Sequence, residues 1–183
     1  HSLGGTLTPV MALELSEAEP QRAIYSVSFA GMTPGNAAFA ALLGAGTPLS
    51  GRTKRAFNTL DTVSYGWNNV LATRNFFAPA PKGGLLVKLF LLLAQVRLWF
   101  GGYGFTSSGE PVGYNGTVSD PSRKHGLISY VLENLHQHMP DTYLSLMGAP
   151  PLPFSILFGS LTVDKTDLAD HAPSNEGIPV FHA

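Results

Sequence analysis

The spacing of hydrophobic residues predicts a helix followed by a strand near the start of the chain. Over residues 3–18, apolar side chains recur every three or four positions, which is the period of one helix face. These side chains are Leu3, Leu7, Val10, Met11 and Leu15. Pro20 bounds this helix. Over residues 22–30 the pattern changes to alternation, with an apolar side chain at every second position from Tyr25 to Phe29, which is typical of a strand.

Helical and extended patterns continue to alternate through the middle of the chain. A second helix is predicted over residues 34–43. It is followed by a loop rich in Gly, Pro and Ser over residues 46–54, and by a short strand over residues 55–60. Asp61 stands at the end of that strand. Residues 64–84 contain prolines and a glycine pair, so we expect a long irregular connection there.

The C-terminal part of the chain predicts two further helices. Residues 101–119 are rich in glycine and predict a loop. Asp120 and Pro121 resemble a helix cap and a first-turn proline, and they predict the start of a helix. Its apolar stripe comprises Leu127, Ile128, Val131, Leu132 and Leu135. Pro140 opens a last short helix, which Gly148 ends.

Strands that alternate with helices indicate an α/β fold with a mainly parallel sheet. The length of 183 residues suits one domain with its own core. We place this domain at residues 1–150 and leave residues 151–183 as a C-terminal tail without an assigned role. In parallel sheets the chemistry lies at the carboxyl ends of the strands. Ser2 and Asp61 lie at predicted turns or strand ends, so such a site would draw on both.

Composition excludes several classes of function. Hydrophobic residues make up 44% of the chain and charged residues only 13%, which indicates a globular protein. The formal net charge is −1 and no basic run occurs, which argues against nucleic acid as a partner. The chain has no cysteine, so disulfides and thiolate zinc sites are excluded. These properties assign neither a compartment nor an oligomeric state.

The first five residues, H-S-L-G-G, carry the clearest chemical signal. They match a G-x-S-x-G elbow without its leading glycine, a motif in which a strand turns sharply into a helix and exposes the serine hydroxyl. Ester hydrolysis by a serine also needs a base and a carboxylate that orients the base. In the chain order Ser, Asp, His, Ser2 is followed by Asp61 and then by His138. The backbone amide of Leu3 would be one donor to the oxyanion.

Alternative residues exist for the acid and for the base. Asp120 and Asp141 also carry carboxylates, although Asp120 fits a helix cap and Asp141 lies only three residues after His138. His136 is the alternative base, but it falls within the predicted helix, whereas His138 lies at the junction before Pro140. No acidic or cysteine partners cluster near this H-x-H pair in the sequence, so we expect neither a metal nor another cofactor.

Three further sequence blocks follow H-S-L-G-G in a specific order. They are V-S-F-A-G-M-T-P-G-N-A-A-F-A (27–40), F-N-T-L-D-T-V (57–63) and Q-H-M-P-D-T-Y-L-S-L-M-G-A-P (137–150). Together the four blocks resemble the class-three lipases, the fungal-lipase-type branch of the α/β-hydrolases. The resemblance implies a triacylglycerol lipase or esterase with Ser2 as nucleophile, Asp61 as orienting carboxylate and His138 as general base. It also implies a partial α/β-hydrolase fold that starts inside the nucleophile elbow and lacks the N-terminal strands.

Residues 85–100 form the most apolar stretch of the chain. Lys88 and Arg97 interrupt the stretch, and a membrane span needs about 20 apolar residues, so a membrane span is not expected. Two interpretations remain open. The stretch is either a buried core helix or a cap over a lipid site, in which Trp99 and Phe100 would suit a membrane or lipid-droplet interface.

Two functions remain open from the sequence. The first is a lipase or esterase that acts on a lipid or a small ester. The second is a catalytically inactive fragment, or a lipid-associating non-catalytic module, of the same fold. Because Ser2 would follow a frayed terminus instead of a buried strand, we expect low activity from these residues alone. We also expect the apolar edge of the sheet to promote association.

Overall fold

The computed structural model describes residues 1–150 and the backbone of two later strands. The helices are α1 (Leu3–Ala18), α2 (Ala37–Ala41), α3 (Gly84–Phe100), α4 (Leu127–His138) and α5 (Pro140–Leu146). The strands are β1 (Ser26–Phe29), β2 (Thr53–Asn58), β3 (Glu110–Tyr114), β4 (Phe154–Leu157) and β5 (Ser160–Val163). Two short 3₁₀ helices, Val63–Tyr65 and Val70–Asn75, follow β2. Apart from β4 and β5, the predicted tail lies outside the described residues, and its separation from the domain stays a prediction.

The first three strands form a parallel sheet with β2 at its centre. Ser28 of β1 pairs with Arg55 of β2, and Ala56 of β2 pairs with Val112 of β3. Helix α2 lies between β1 and β2 in the chain, and α3 lies between β2 and β3. Strands β4 and β5 form a separate antiparallel pair. The predicted partial α/β fold, a parallel sheet flanked by helices, is therefore confirmed.

Two glycines allow α1 to touch the end of β1 through backbone atoms. A Cβ atom on Gly5 would lie 2.3 Å from the carbonyl oxygen of Phe29. A Cβ atom on Gly31 would lie 2.6 Å from the carbonyl carbon of Gly5. Only residues without a Cβ fit at this distance, so the glycines fix the start of α1 at the carboxyl end of β1.

The apolar stripe predicted on α1 lies largely on the exposed side of that helix. Its exposed members are Leu3, Leu7, Met11 and Leu15. The buried face consists of small side chains, namely Gly5, Pro9, Ala12 and Ser16. Small residues let the helix approach the sheet closely, so the packing distance decides which face of α1 is buried.

Among the described residues, the buried hydrophobic side chains form two clusters. The first contains Ala12, Leu43 and Leu49, with Leu13, Ile24 and Phe39 packed around them. The second contains Phe77, Val87 and Tyr130, with Leu60, Phe76, Leu91 and Val118 around them. The second cluster joins α3 and α4 to the connection after β2, and thereby sets the position of α4.

The predicted helix start at Asp120 is wrong, because α4 begins at Leu127. One carboxylate oxygen of Asp120 accepts hydrogen bonds from the Ser122 backbone N–H at 3.0 Å and from the Ser122 hydroxyl at 2.6 Å. These bonds close a local turn, which competes with helix capping for the same side chain. Gly126, with φ of 152°, then leads the chain into α4.

Three other boundaries differ from the sequence prediction. Strand β2 begins at Thr53, inside the region predicted as a loop. Helix α2 begins at Ala37, because the Asn36 side chain caps it by accepting the Phe39 N–H at 3.1 Å. Strand β3 lies inside the predicted loop 101–119, where its proline and glycine obscure the extended pattern.

Helix α3 is not a buried core helix, so that interpretation of residues 85–100 is wrong. Its buried side chains are Val87 and Leu98. Large apolar side chains elsewhere on the helix are exposed, including Leu85, Leu86, Phe90, Trp99 and Phe100. The interpretation as a cap or lipid-facing surface stays a prediction. Among the described residues, no helix has the length and apolar character needed to cross a membrane.

Candidate active site

Ser2 directly precedes α1 and lies beside the carboxyl end of β1 in space. Its backbone has φ of 56° and ψ of −123°, a conformation that residues with a Cβ rarely adopt. The Ser2 N–H donates to the carbonyl of Phe29 at 3.0 Å, and the Ser2 carbonyl accepts from the N–H of Thr6 at 2.9 Å. These two bonds hold a strained residue in a sharp turn at the carboxyl end of β1.

The structure brings Ser2, Asp61 and His138 together, although up to 136 positions separate them in the chain. His138 is the last residue of α4. Its Nε2 lies 2.8 Å from Ser2 Oγ, and its Nδ1 lies 3.0 Å from Asp61 Oδ2 and 3.1 Å from Asp61 Oδ1. A carboxylate beside Nδ1 favours the tautomer with the proton on Nδ1. Nε2 is then free to accept the proton of the Ser2 hydroxyl.

Asp61 is fully buried three residues after the end of β2. Its Oδ1 accepts the backbone N–H of Val63 at 2.9 Å. Its Oδ2 accepts the hydroxyls of Ser64 at 3.0 Å and Tyr143 at 2.7 Å. Buried carboxylate oxygens need hydrogen-bond donors in place of water, and together with His138 these donors fix the direction of both carboxylate oxygens.

Tyr143 on α5 connects Asp61 to the sheet. Its hydroxyl donates to Asp61 Oδ2 and accepts the backbone N–H of Asn58 at 3.0 Å. Burial, and then the negative charge of Asp61, raise the pKa of Tyr143 far above its ordinary value. The phenol therefore stays protonated and serves as a permanent hydrogen-bond donor to the carboxylate.

A buried polar network anchors α4, and with it His138, to the sheet. Glu133 accepts from the Ser119 N–H at 2.9 Å and from Gln137 Nε2 at 2.7 Å. Gln137 in turn accepts from Asn58 Nδ2 at 2.7 Å through its side-chain oxygen. Burial opposes the charge of Glu133, but hydrogen bonds from Ser119 and Gln137 outweigh it and hold the pKa of Glu133 below its ordinary value.

Two residues beside Ser2 complete the immediate surroundings. Leu3 is the first residue of α1, where backbone N–H groups have no acceptor inside the helix. The His1 ring packs against the His138 ring with centroids 4.9 Å apart, and against the Tyr143 ring at 5.3 Å in an edge-on arrangement. The imidazole of His138 is thus supported on a second side.

The alternative residues from the sequence lie elsewhere. Asp120 bonds to its own turn, and Asp141 lies in the first turn of α5. His136 is exposed on α4, and its carbonyl accepts the Thr142 hydroxyl. Among residues 1–150, no group of three His, Cys, Asp or Glu side chains could hold a metal ion.

Two residues that the sequence did not indicate donate hydrogen bonds to the carboxylate of Asp61. Ser64 lies three residues after Asp61, and its hydroxyl donates to Asp61 Oδ2. Tyr143 lies inside the block around His138, but nothing in that block predicts contact with a residue 82 positions earlier. Such contacts depend on tertiary packing and leave no local pattern in the sequence.

An apolar cavity of about 690 Å³ opens beside His138. Its walls come from α3, α4 and the segment after Asp61, which contributes Thr62 and Val63. This volume falls within the usual range for ligand pockets. The described residues thus place an apolar cavity next to the imidazole that faces Ser2.

No family model and no curated protein matches the chain. Among solved structures, the chain is similar to the crystal structure of M37 lipase, with 26% sequence identity and a TM-score of 0.67. The match covers 81% of this chain and 43% of the lipase chain, so this chain spans less than half of that protein's length. The chain has a lipase-like fold, and the resemblance to the class-three branch stays a prediction.

Proposed function

We propose that the protein is a serine carboxylic-ester hydrolase, a lipase or esterase of the class-three type, with Ser2 as its nucleophile. The observation that carries the proposal is the hydrogen-bonded series from Ser2 Oγ through His138 to Asp61, with distances of 2.8 and 3.0 Å. The strained backbone of Ser2 and the similarity to M37 lipase support the same assignment.

In the first half of the reaction, Ser2 Oγ attacks the carbonyl carbon of the ester while His138 Nε2 takes the hydroxyl proton. The carbonyl π electrons move to oxygen, and the N–H of Leu3 donates to this oxyanion. The tetrahedral intermediate then collapses. The alcohol leaves with the proton from His138, and the acyl group remains on Ser2.

In the second half, water donates a proton to His138 Nε2 and attacks the acyl carbon. Collapse of the second intermediate releases the acid and returns the proton to Ser2 Oγ. Asp61 stabilises the imidazolium in both halves and keeps the Nδ1 proton in place. These steps use water and groups of the chain itself.

The test is hydrolysis of p-nitrophenyl butyrate by the protein and by the Ser2→Ala variant. We expect turnover that Ser2→Ala abolishes, and labelling of Ser2 by a fluorophosphonate, located by mass spectrometry of the peptides. Hydrolysis that persists in Ser2→Ala would contradict the proposal. A folded protein that neither hydrolyses the ester nor reacts with the fluorophosphonate would also contradict it.

A non-catalytic lipid-associating module is the second candidate, and the exposed apolar side chains of α3 favour it. In that case, the unchanged protein and the Ser2→Ala variant bind lipid vesicles equally well, and neither hydrolyses an ester. The rate of ester hydrolysis by the unchanged protein, compared with that by Ser2→Ala, therefore distinguishes the two candidates.

A further inference from the structure

A smaller cavity, of about 330 Å³, lies between the start of α2 and the segment that follows α3. Its walls carry the rings of Phe39, Tyr103 and Phe105 and the amide of Asn36, and its other lining residues are glycines. None of these residues has a charged side chain. The cavity therefore suits a neutral ligand that offers both apolar and hydrogen-bonding surfaces.

Three aromatic rings form a row at the edge of this cavity, which we call the aromatic platform. The ring of Phe105 lies in the middle, with its centroid 6.3 Å from that of Trp67 and 6.2 Å from that of Tyr103. Neighbouring ring planes incline by 34° and 40°, which makes a shallow surface, unlike the steep walls of a cage around a cation. Trp67 is 43% exposed and Tyr103 is 60% exposed, so both rings are open to a ligand.

Hydrogen bonds between neighbouring segments hold the aromatic platform in place. The Thr106 N–H donates to the Gly35 carbonyl at 2.9 Å, and Asn68 Nδ2 donates to Ser107 Oγ at 2.8 Å. Trp67 has φ of 71°, a conformation that is rare for bulky residues and that is found at ligand sites. The site is thus formed before a ligand arrives, which lowers the entropic cost of binding.

We propose that the aromatic platform binds a neutral saccharide. One face of a sugar ring consists largely of C–H groups, which pack on aromatic faces, while its hydroxyl groups point to the edge. The Tyr103 hydroxyl and the Asn36 amide provide hydrogen-bonding groups at the cavity. Asn36 Oδ1 already accepts the Phe39 N–H at 3.1 Å, so this amide serves as a donor through Nδ2.

The aromatic platform adjoins the candidate ester site. Gly66 lines the cavity beside His138, and Trp67 directly follows Gly66 in the chain. A saccharide on the platform therefore lies near the place where the ester would react, and an ester with a sugar head group is the class of molecule that fits both sites. A glycosylated ester as substrate rests on the proposed function, whereas saccharide binding does not.

Tryptophan fluorescence of the double variant Ser2→Ala, Trp99→Phe tests saccharide binding. The chain has two tryptophans, so Trp67 alone reports on the platform in this protein. Lactose or maltose should change the emission of Trp67, with saturation in the millimolar range. Choline chloride is the comparison, because a cation site on the same rings would respond to choline. A response to choline alone, or to none of these probes, would overturn the proposal.

Two further changes in the same background test the assignment of the residues. Tyr103→Ala removes one ring and should weaken binding of the disaccharide by roughly two- to twelvefold, the range expected for one aromatic stacking contact. Gly104→Val should weaken binding without disturbing the fold, because a Cβ on Gly104 meets no atom within 4 Å and Gly104 lines the cavity.

Tyr25→Ala is the matched control, since Tyr25 is 72% exposed just before β1 and lies outside the platform. It should leave the affinity for the disaccharide unchanged, and circular dichroism should show that every variant is folded. Affinities that are the same in Tyr103→Ala, Gly104→Val and Tyr25→Ala would overturn the assignment of the platform.

Vesicles distinguish a lipid-linked saccharide from a free one. If the natural ligand is the head group of a glycolipid, then digalactosyl diacylglycerol in phosphatidylcholine vesicles should increase binding of Ser2→Ala, and Tyr103→Ala should remove that increase. Disaccharide binding without this increase supports a free saccharide. If the disaccharide binds but the unchanged protein hydrolyses no ester, then the proposed function fails and the platform stands. If esters are hydrolysed but no disaccharide binds, the platform fails alone.

Discussion

The hydroxyl of Tyr143 lies 2.7 Å from Oδ2 of Asp61, and this contact joins α5 to the carboxylate that faces His138. The same hydroxyl accepts the backbone N–H of Asn58. Tyr143 thus holds Asp61 relative to β2, although it lies too far along the chain for sequence spacing to suggest the contact. We infer that it positions the acid without itself touching the substrate.

Replacement of Tyr143 by Phe should lower kcat by about tenfold and leave KM nearly unchanged. The carboxylate loses one of its donors, which costs roughly 1–2 kcal/mol, and the imidazole is then oriented less well. Kinetics on p-nitrophenyl butyrate measure both parameters. Tyr25→Phe is the control, because Tyr25 is exposed and should tolerate the change. A purely structural role for Tyr143 would lower the unfolding midpoint and the active fraction but leave kcat per active site intact.

Asp61→Asn should reduce kcat by roughly 10⁴-fold while the protein stays folded. An amide NH₂ beside Nδ1 favours the tautomer with its proton on Nε2, and Nε2 can then no longer accept the proton of Ser2. Steady-state kinetics, with circular dichroism as the folding control, measure this change. Asp141→Asn is the matched comparison, since Asp141 is an alternative carboxylate from the sequence. Equal losses in the two variants would contradict the assignment of Asp61.

Gly5→Ala should destabilise the protein, whereas Gly4→Ala should not. The added methyl group at Gly5 would lie 2.3 Å from the carbonyl oxygen of Phe29, while a Cβ on Gly4 meets no atom within 4 Å. Overpacking of this kind costs about 1–3 kcal/mol, and Gly4→Ala should gain up to about 1 kcal/mol from helix propensity. Urea unfolding of the two variants measures the difference. Similar midpoints would show that α1 does not touch β1 at Gly5.

Glu133→Gln should destabilise the protein most near neutral pH. The pKa of Glu133 in the folded protein lies below its ordinary value of 4.5. The contribution of ionised Glu133 to the free energy of unfolding is therefore fully present above pH 4.5, the ordinary pKa, and is lost as the pH falls through the lowered pKa. Urea unfolding should show a difference of about 2 kcal/mol at neutral pH, since hydrogen bonds to a charged group are lost.

The matched control for this pH dependence is Glu14→Gln, because Glu14 is exposed on α1. We expect it to change the unfolding midpoint little at any pH. For Glu133→Gln, the difference from the unchanged protein should shrink as the solution is acidified. A difference that stays constant with pH would mean that the charge of Glu133 does not stabilise the fold.

The sequence predicted the parts of the molecule that have local patterns. The α/β alternation was recognisable because residues 22–30 alternate in polarity and residues 55–60 have the composition of a second short strand, and β1 and β2 lie within or overlap these segments. The proximity of Ser2, Asp61 and His138 followed from the order of sequence blocks that resemble a known family. Strand β3 was missed because Pro111 and Gly113 are atypical of strands.

The structural features that were predicted wrongly, or not at all, depend on packing distance or on partners far away in the chain. Helix α1 buries its small residues because Gly5 and Gly31 set the distance between helix and strand, a quantity that hydrophobic spacing does not contain. Asp120 has the composition of a helix cap but bonds to Ser122 in its own turn. The contact between Asp61 and Tyr143 joins segments 82 positions apart, and it could not be predicted because no motif in the sequence links these two residues.

The exposed end of α3 should bind a lipid surface, and Trp99 should contribute strongly to this binding. Trp99 is 73% exposed and its ring lies 4.8 Å from that of Phe100, so the two form an apolar aromatic pair at the helix end. Aromatic side chains of this kind insert into the boundary between head groups and acyl chains. Phosphatidylcholine vesicles, used in a flotation assay, provide the lipid surface.

Trp99→Ala should weaken vesicle binding by about tenfold or more, because burial of a large apolar side chain contributes roughly 1.5–3 kcal/mol. Tyr25→Ala removes an aromatic side chain that is 72% exposed just before β1, outside α3, and it should leave binding unchanged. Equal losses in the two variants would indicate general adhesion of exposed aromatic groups. Vesicle binding that survives Trp99→Ala in full would exclude the end of α3 as the contact surface.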